Sequence, residues 1–173
     1  INSDSGPDFK EAGVELKVTP FKENKNGSLS AKERLVLTII DYMSVTDETF
    51  ETSHLFNKCK LILLIYYLHS NATDKLDMQI KYADLFQIPP EDMKIIQDDF
   101  NFIVNKIKAG KAHELSEGDT CYLGASTKGA TAAKSQRQQP FSDTPAKQRA
   151  FCFKTSYMTY ILNNYIIPGH KTY

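Results

Sequence analysis

The first clear β-strand signal lies in residues 8–20, which read Asp8-Phe9-Lys10-Glu11-Ala12-Gly13-Val14-Glu15-Leu16-Lys17-Val18-Thr19-Pro20. From Val14 to Thr19, apolar and polar residues alternate strictly, which predicts a strand that ends at Pro20. The apolar residues of this strand share one face. Glu15 and Lys17, two positions apart, therefore project together from the opposite face.

Two further strands are predicted downstream of this segment. Residues 24–27 (Asn-Lys-Asn-Gly) are typical of a turn, and Arg34 to Asp41 is rich in β-branched residues, so 34–41 is predicted to form an antiparallel pair with 14–19. The run Leu61 to Tyr67 is apolar throughout its length, which is typical of a central strand buried on both faces.

The clearest helix is predicted over 89–109. Two prolines open it, acids occupy its first turn, and lysines occupy its last turn before Gly110. Asp98 and Asp99 are expected to face water. The apolar residues that recur at helical spacing are Met93, Ile96, Phe100, Ile103, Val104 and Ile107.

The intermixed order of strands and helices continues to the end of the chain. A short strand is predicted around 122–123, another strand over 150–154, and a closing helix over 156–166. This order predicts an α/β (mixed α+β) fold with a central mixed sheet flanked by helices. The 173 residues, 41% of them hydrophobic, fit one domain over 1–173.

The charges are balanced in number and separated along the chain. The sequence has 21 basic and 21 acidic residues, yet residues 1–124 hold 14 basic and 20 acidic ones. Residues 125–154 hold six basic residues and one acid, Asp143. A concentrated basic segment on an acidic body can still bind a phosphate backbone, so the zero net charge does not exclude nucleic acid as a partner.

Several classes of protein are excluded by composition. The longest strongly apolar run, residues 61–68, is far shorter than the roughly 20 residues that span a bilayer, so no membrane association is expected. No secretory signal is visible, and three cysteines without C-x-x-C spacing are typical of reduced thiols in a cytoplasmic protein. Because the sequence begins with Ile1 rather than Met, we expect a chain that has lost its natural beginning or that is one fragment of a longer protein.

The opening segment also carries the strongest chemical pattern, Asp-x6-Glu-x-Lys, formed by Asp8, Glu15 and Lys17. Gly13 would let the chain bend so that Asp8 returns towards Glu15. Two converging carboxylates suit Mg²⁺, with the Leu16 carbonyl as a plausible extra ligand, and a nearby ammonium could activate water beside a phosphate. The alternative is an ordinary solvent-facing Glu/Lys pair on a strand.

Several collinear segments, taken with residues 8–20, resemble the MutH-like DNA endonuclease family. The resemblance is closest to its GATC-cutting type II restriction enzymes of the Sau-three-AI type. The segments are Ser-Ala-Lys-Glu-Arg-Leu-Val-Leu (30–37), Gly-Lys-Ala-His-Glu-Leu-Ser-Glu-Gly (110–118), Tyr-Leu-Gly-Ala-Ser-Thr-Lys-Gly-Ala (122–130), Gln-Pro-Phe-Ser-Asp (139–143) and Ala-Lys-Gln-Arg-Ala-Phe (146–151).

This resemblance implies a restriction-endonuclease-like (PD-D/E-x-K) fold and Mg²⁺-dependent hydrolysis of DNA at 5′-GATC-3′. It implies that Asp8 and Glu15 are metal ligands and that Lys17 is the catalytic lysine. The family uses a further lysine ahead of a central strand. Either Lys58 or Lys60 could fill that place, and Lys60 is preferred because it is nearer to the strand. The family's upstream helix with another active-site glutamate is absent here, so a catalytic-core fragment is expected.

The basic segment is interpreted as the DNA-binding region. Its arginine, lysine and glutamine side chains can neutralise phosphates and hydrogen bond to base edges, and its low hydrophobicity suits a loop that becomes ordered on DNA. A solvated loop without a partner is the alternative. The predicted contacts are Lys128, Arg137, Lys147, Arg149 and Lys154.

Two other functions remain open at this point. One is a MutH-type nicking endonuclease of mismatch repair, activated by a MutL-like partner. The other is a non-catalytic DNA-binding or effector module of the same fold, against which the intact Asp-x6-Glu-x-Lys pattern argues. The expected substrate is double-stranded DNA containing GATC, read by a dimer, by a monomer, or by two domains of one longer chain.

Overall fold

The computed structural model describes residues 6–69, 78–129 and 135–169. The chain divides into two compact units, the first formed by Ile1–Leu35, Lys58–Ile88 and Lys154–Tyr173, and the second by Val36–Asn57 and Pro89–Phe153. Both contain strands and helices, so the prediction of a mixed α/β architecture is confirmed. One domain over 1–173 stays a prediction.

Strands and helices are intermixed along the described chain. The strands are β1 (Glu15–Glu23), β2 (Leu29–Ala31), β3 (Leu35–Ile39), β4 (Ile62–Leu68), β5 (Ile80–Phe86), β6 (Leu123–Thr127), β7 (Gln136–Gln139), β8 (Ser142–Lys147) and β9 (Arg149–Phe153). The main helices are α1 (His54–Cys59), α2 (Pro90–Lys108) and α3 (Thr155–Ile161), the last continued by a π-helical turn at Leu162–Ile166. In these residues no helix has the length and apolar character needed to cross a membrane.

The first unit is built on a mixed sheet with strand order β2-β1-β4-β5. β1 and β4 run parallel, with Glu15 opposite Ile62, and the other two pairings are antiparallel. β4 is an inner strand, as the apolar run 61–67 predicts, but only one of its faces is fully buried and the other is half-buried. α3 packs on this sheet, where the Tyr66 hydroxyl donates to the Met158 carbonyl at 2.9 Å.

Two expectations about the first strands are wrong. β1 does not end at Pro20 but continues to Glu23. The backbone of Pro20 points away from β4, so the N–H that proline lacks is not needed for a hydrogen bond between β1 and β4. The antiparallel partner of β1 is the short strand β2, joined by the predicted turn at 24–27. Residues 34–41 instead supply β3, which lies beside β9 in another sheet.

The second unit combines the sheet β3-β9-β6 with α2 and the two-stranded sheet β7-β8. α2 matches the predicted helix to within a residue at each end. Five of the six predicted core residues are buried, and the Phe100 ring lies 5.5 Å from the Phe151 ring between centroids. Met93 is the exception, being only half-buried.

Asp99 does not face water as expected. It is 7% exposed, and its carboxylate accepts the backbone N–H groups of the three consecutive residues Cys121, Tyr122 and Leu123 at 2.7–2.8 Å. This carboxylate fixes the segment that leads into β6, because it satisfies three donors that would otherwise lose their water.

Candidate active site

A tight turn brings Asp8 back to the start of β1. Phe9 and Val14 exchange backbone hydrogen bonds, at 2.9 Å from the Phe9 N–H and 3.2 Å from the Val14 N–H. Gly13, within this turn, has a φ of +65°, a conformation that costs glycine little because it has no Cβ. The predicted bend of the chain at Gly13, which returns Asp8 towards Glu15, is therefore present.

Asp8 and Glu15 are joined through reciprocal backbone contacts. The Leu16 N–H donates to Oδ2 of Asp8 at 3.0 Å, and the Asp8 N–H donates to Oε2 of Glu15 at 3.2 Å. Each carboxylate therefore accepts a hydrogen bond from the segment that carries the other. The two acids lie side by side at the end of β1, with Asp8 exposed and Glu15 only 3% exposed.

Glu15 is paired with two ammonium groups. Lys17 Nζ lies 2.7 Å from Oε1 of Glu15, and Lys58 Nζ lies 3.0 Å from Oε2. The lysine side chains are 20% and 15% exposed, so both ion pairs are partly shielded from water. A buried carboxylate is costly unless it is paired, and here both of its oxygens have a cationic partner.

The face of β1 that carries Glu15 is more buried than the opposite face of the strand. Thr19 and Phe21, which follow Glu15 at even spacing, are buried, whereas Val18 on the opposite face is 52% exposed. The interpretation of Glu15 and Lys17 as an ordinary solvent-facing pair does not fit this burial. The charged pair lies on the packed side of the sheet.

The contacts distinguish the two candidate lysines ahead of β4. Lys58, on α1, reaches Glu15 and also donates to the Gly6 carbonyl at 2.5 Å, whereas the preferred Lys60 is exposed. Proximity to the strand in sequence is therefore a poor guide, because α1 directs the earlier lysine towards β1. Gly6 was not predicted from the sequence, since a backbone carbonyl carries no residue-type signal.

The donor set around Asp8 and Glu15 suits a small hard cation. The backbone groups of successive strand residues point to opposite edges of the strand. The Glu15 N–H donates to the Leu61 carbonyl on β4, so the backbone groups of Leu16 point away from β4. Asp8 lies on that side, where it accepts the Leu16 N–H, and the Leu16 carbonyl points to the same side. Two carboxylates and one carbonyl are oxygen ligands of the type that Mg²⁺ binds, leaving room for water and phosphate. In the described residues no group of three His, Cys, Asp or Glu side chains forms a larger metal cluster.

Four of the five predicted DNA-binding residues lie in the second unit. Arg137 and Lys147 are exposed on the β7–β8 hairpin, and Lys128 is half-buried just after β6. Lys154 lies in the first unit, at the N-terminus of α3. The expectation of a loop in the basic segment is wrong for 136–147, where β7 and β8 pair with one another as antiparallel strands. Residues 130–134 lie outside the described chain.

Arg149 is tied into the body of the second unit. Its Nη1 donates to the Ala125 carbonyl at 2.6 Å across the β6–β9 pair, while its buried Nε has no partner among the described residues. The adjacent Lys147 carbonyl accepts the Tyr42 hydroxyl at 2.5 Å. Burial raises the pKa of Tyr42 to about 12, opposed in part by the Arg149 charge, so this hydroxyl stays protonated at neutral pH.

Comparison with known proteins shows the family to which the chain belongs. Residues 1–99, which include the turn, β1, α1 and β4, match the family model of the DNA mismatch repair enzyme MutH. The chain belongs to the MutH family.

Two types of relative are similar to the chain. The type II restriction enzyme Sau3AI of Staphylococcus aureus is 51% identical over 98% of the chain, and the chain spans 35% of that enzyme's length. The DNA mismatch repair protein MutH of Vibrio parahaemolyticus is 24% identical over 92% of the chain and 70% of its own length, and that of Vibrio campbellii is also 24% identical.

Proposed function

We propose that this chain is the catalytic part of a site-specific DNA endonuclease, a type II restriction enzyme that hydrolyses phosphodiester bonds at 5′-GATC-3′ with Mg²⁺. The observation that carries the proposal is the buried Glu15 carboxylate, held between two ammonium groups with Asp8 beside it. The 51% identity to Sau3AI supports the restriction-enzyme form of the activity. In this proposal the substrate is double-stranded DNA containing GATC, and the protein acts in the cytoplasm, in keeping with its three free cysteines.

The restriction-endonuclease-like (PD-D/E-x-K) fold belongs to the same proposal. The sequence contains Pro7-Asp8 and Glu15-Leu16-Lys17, the two elements for which this fold class is named. The packing of β1 parallel to β4, with the acids and both lysines at one end of the pair, supports this assignment.

Asp8, Glu15 and the Leu16 carbonyl would hold the Mg²⁺ ion. When bound, the ion would polarise the scissile phosphate and lower the pKa of a coordinated water. Without the cation, the two carboxylates carry two negative charges that Lys17 and Lys58 balance. This local neutrality explains how Glu15 can be buried before metal and DNA arrive.

The lysines supply positive charge where the reaction develops negative charge. Glu15 fixes both ammonium groups, so they need little reorganisation when a phosphate arrives. In this proposal Lys17 orients the attacking water and stabilises the charge on the phosphate oxygens. Lys58 takes the role of the second lysine in place of Lys60.

DNA binding is assigned to the basic residues of the chain. The exposed Arg137 and Lys147 on the β7–β8 hairpin suit direct contact with phosphates or base edges. Arg149 would position the backbone of β6 as well as present charge, because one of its nitrogens is already bonded to Ala125. Lys128 and Lys154 are the remaining proposed contacts.

The MutH match carries a second candidate function. A nicking endonuclease of mismatch repair would use the same acids and lysines, with a MutL-like partner as activator, and the match to residues 1–99 favours it. A non-catalytic module of this fold is disfavoured, because pure binding of a polyanion would gain nothing from the acid pair. The chain spans 35% of the length of Sau3AI, and in this proposal a palindromic site is read by a dimer, by a monomer or by two domains of one longer chain.

Cleavage of matched duplexes tests the proposal. The chain is incubated with Mg²⁺ and duplexes that differ only in GATC or its scrambled order. We expect double-strand cuts at GATC alone. Nicks in one strand would favour the mismatch-repair function, binding without cleavage would favour the module, and an uncut, unbound GATC duplex would overturn the proposal.

A further inference from the structure

An aromatic side chain lies exposed at the tip of the β7–β8 hairpin. Gln139 pairs with Ser142, so Pro140 and Phe141 form a two-residue loop. Phe141 is 76% exposed, more than any other large hydrophobic side chain in the described residues. Burial of this phenyl ring against a partner would remove a large apolar area from water and would be favourable.

The backbone at Phe141 is also unfavourable for this residue type. Its φ is +61°, and it is the one non-glycine residue with positive φ in the described chain. The second position of a tight turn with positive φ ordinarily holds glycine or asparagine. A phenylalanine here is both strained and exposed, a combination that is typical of functional positions rather than of folding.

The loop is held firmly against the body of the second unit. A Cβ added at Gly110 would lie 2.6 Å from the Phe141 carbonyl oxygen, so this close approach depends on glycine. At the base of the tip, the buried Gln139 accepts the Ala112 N–H at 2.7 Å and donates to the Thr144 carbonyl at 2.5 Å. Phe141 is therefore presented by an anchored loop.

We infer that Phe141 contacts the bases of bound DNA, packing its ring against a base or inserting it at a base step. This inference rests on the proposed function. The exposed Gln136, Arg137 and Gln138 lie on β7 of the same hairpin, so groups that can neutralise phosphates and bond to base edges are carried on the element that presents the ring. Apolar side chains carried among such groups insert at base steps in known protein–DNA complexes, and aromatic stacking on bases is favourable.

Phe141→Gly separates this role from a structural one. Glycine relieves the positive φ and removes the ring, so we expect an unchanged or higher melting temperature. We expect about tenfold weaker binding to a GATC duplex, measured with Ca²⁺ in place of Mg²⁺ to prevent cleavage. Because no charge is lost, the dependence of affinity on salt should keep its slope, whereas Lys147→Ala should reduce the slope.

Two further variants complete the test. Phe141→Trp should keep the wild-type affinity, and Phe102→Ala, which removes a 46% exposed ring on α2, should leave DNA binding unchanged. Equal DNA affinities of wild type and Phe141→Gly would overturn the inference. It would also be overturned if Phe141→Gly bound DNA more weakly only because it was partly unfolded, as a much lower melting temperature would show. Failure of the wild-type chain itself to bind DNA would instead overturn the proposed function.

Discussion

Lys58 Nζ lies 3.0 Å from Oε2 of Glu15, although the two residues are 43 positions apart in the sequence. This contact joins α1 to the start of β1 and completes a pair of ammonium groups around one carboxylate. The contact also favours Lys58 over Lys60 as the second lysine of the site. Lys58 is partly buried against the acids, whereas Lys60 is exposed.

The two lysines provide a matched comparison. Lys58→Ala should reduce the rate of DNA cleavage by about 100-fold, the effect of removing one preorganised positive group from a reaction centre. Lys60→Ala, two residues away and exposed, should cleave at nearly the wild-type rate. Rates are measured on a GATC duplex, with melting temperatures to confirm folding. Slow cleavage by Lys60→Ala, with a normal rate for Lys58→Ala, would show that Lys60 is the second lysine of the site.

Metal binding can be measured without activity. A ligand that binds only the folded state raises the melting temperature as its concentration increases. Mg²⁺ should therefore stabilise the wild-type chain, and Asp8→Asn should abolish most of this increase. Asp98→Asn changes an exposed acid whose pairing partner is Lys94 on the same helix, and it should respond as wild type does. Identical Mg²⁺ responses of all three proteins would argue against a metal site at Asp8.

Asp99 is predicted to stabilise the second unit. Asp99→Ala leaves the backbone N–H groups of Cys121, Tyr122 and Leu123 without their acceptor, which should cost about 3 kcal/mol of unfolding free energy. The neighbouring Asp98→Ala should cost less than about 0.5 kcal/mol, because its ion pair with Lys94 is exposed. Urea denaturation measures both, and similar losses would contradict the assigned role of Asp99.

Thiol reactivity reports the burial of the three cysteines. Cys121 is exposed, whereas Cys59 and Cys152 are buried. Burial also raises the pKa of the Cys59 thiol to about 12, so below that pH the unreactive protonated form dominates. One thiol per native chain should therefore react rapidly with a disulfide reagent at pH 8, and Cys121→Ser should remove it. Rapid reaction of a second thiol in the native chain would contradict the fold around α1 or β9.

The sequence predicts those parts of the structure that depend on local periodicity. The strand β1, the apolar run of β4 and the amphipathic α2, with acids in its first turn and lysines in its last, are all present. The turn at Gly13 is local too, and so the approach of Asp8 to Glu15 follows from the order of residues.

The rest depends on contacts between distant residues. β2 has three residues, too few for a periodic signal, so its pairing with β1 could not be distinguished from a pairing with 34–41. Asp99 bonds to residues more than 20 positions away, and nothing in its own helix indicates them. The choice of Lys58 depends on the direction of α1, which two lysines spaced by one residue do not reveal.

The most direct test of the active site compares wild type with Glu15→Gln in single-turnover cleavage of a GATC duplex with Mg²⁺. Glutamine keeps the shape of the side chain but removes the charge that holds both lysines and would hold the metal. We predict cleavage by the wild-type chain and none by Glu15→Gln, which should still bind the duplex. Equal cleavage by the two proteins would contradict the assignment of Glu15 as the centre of the site.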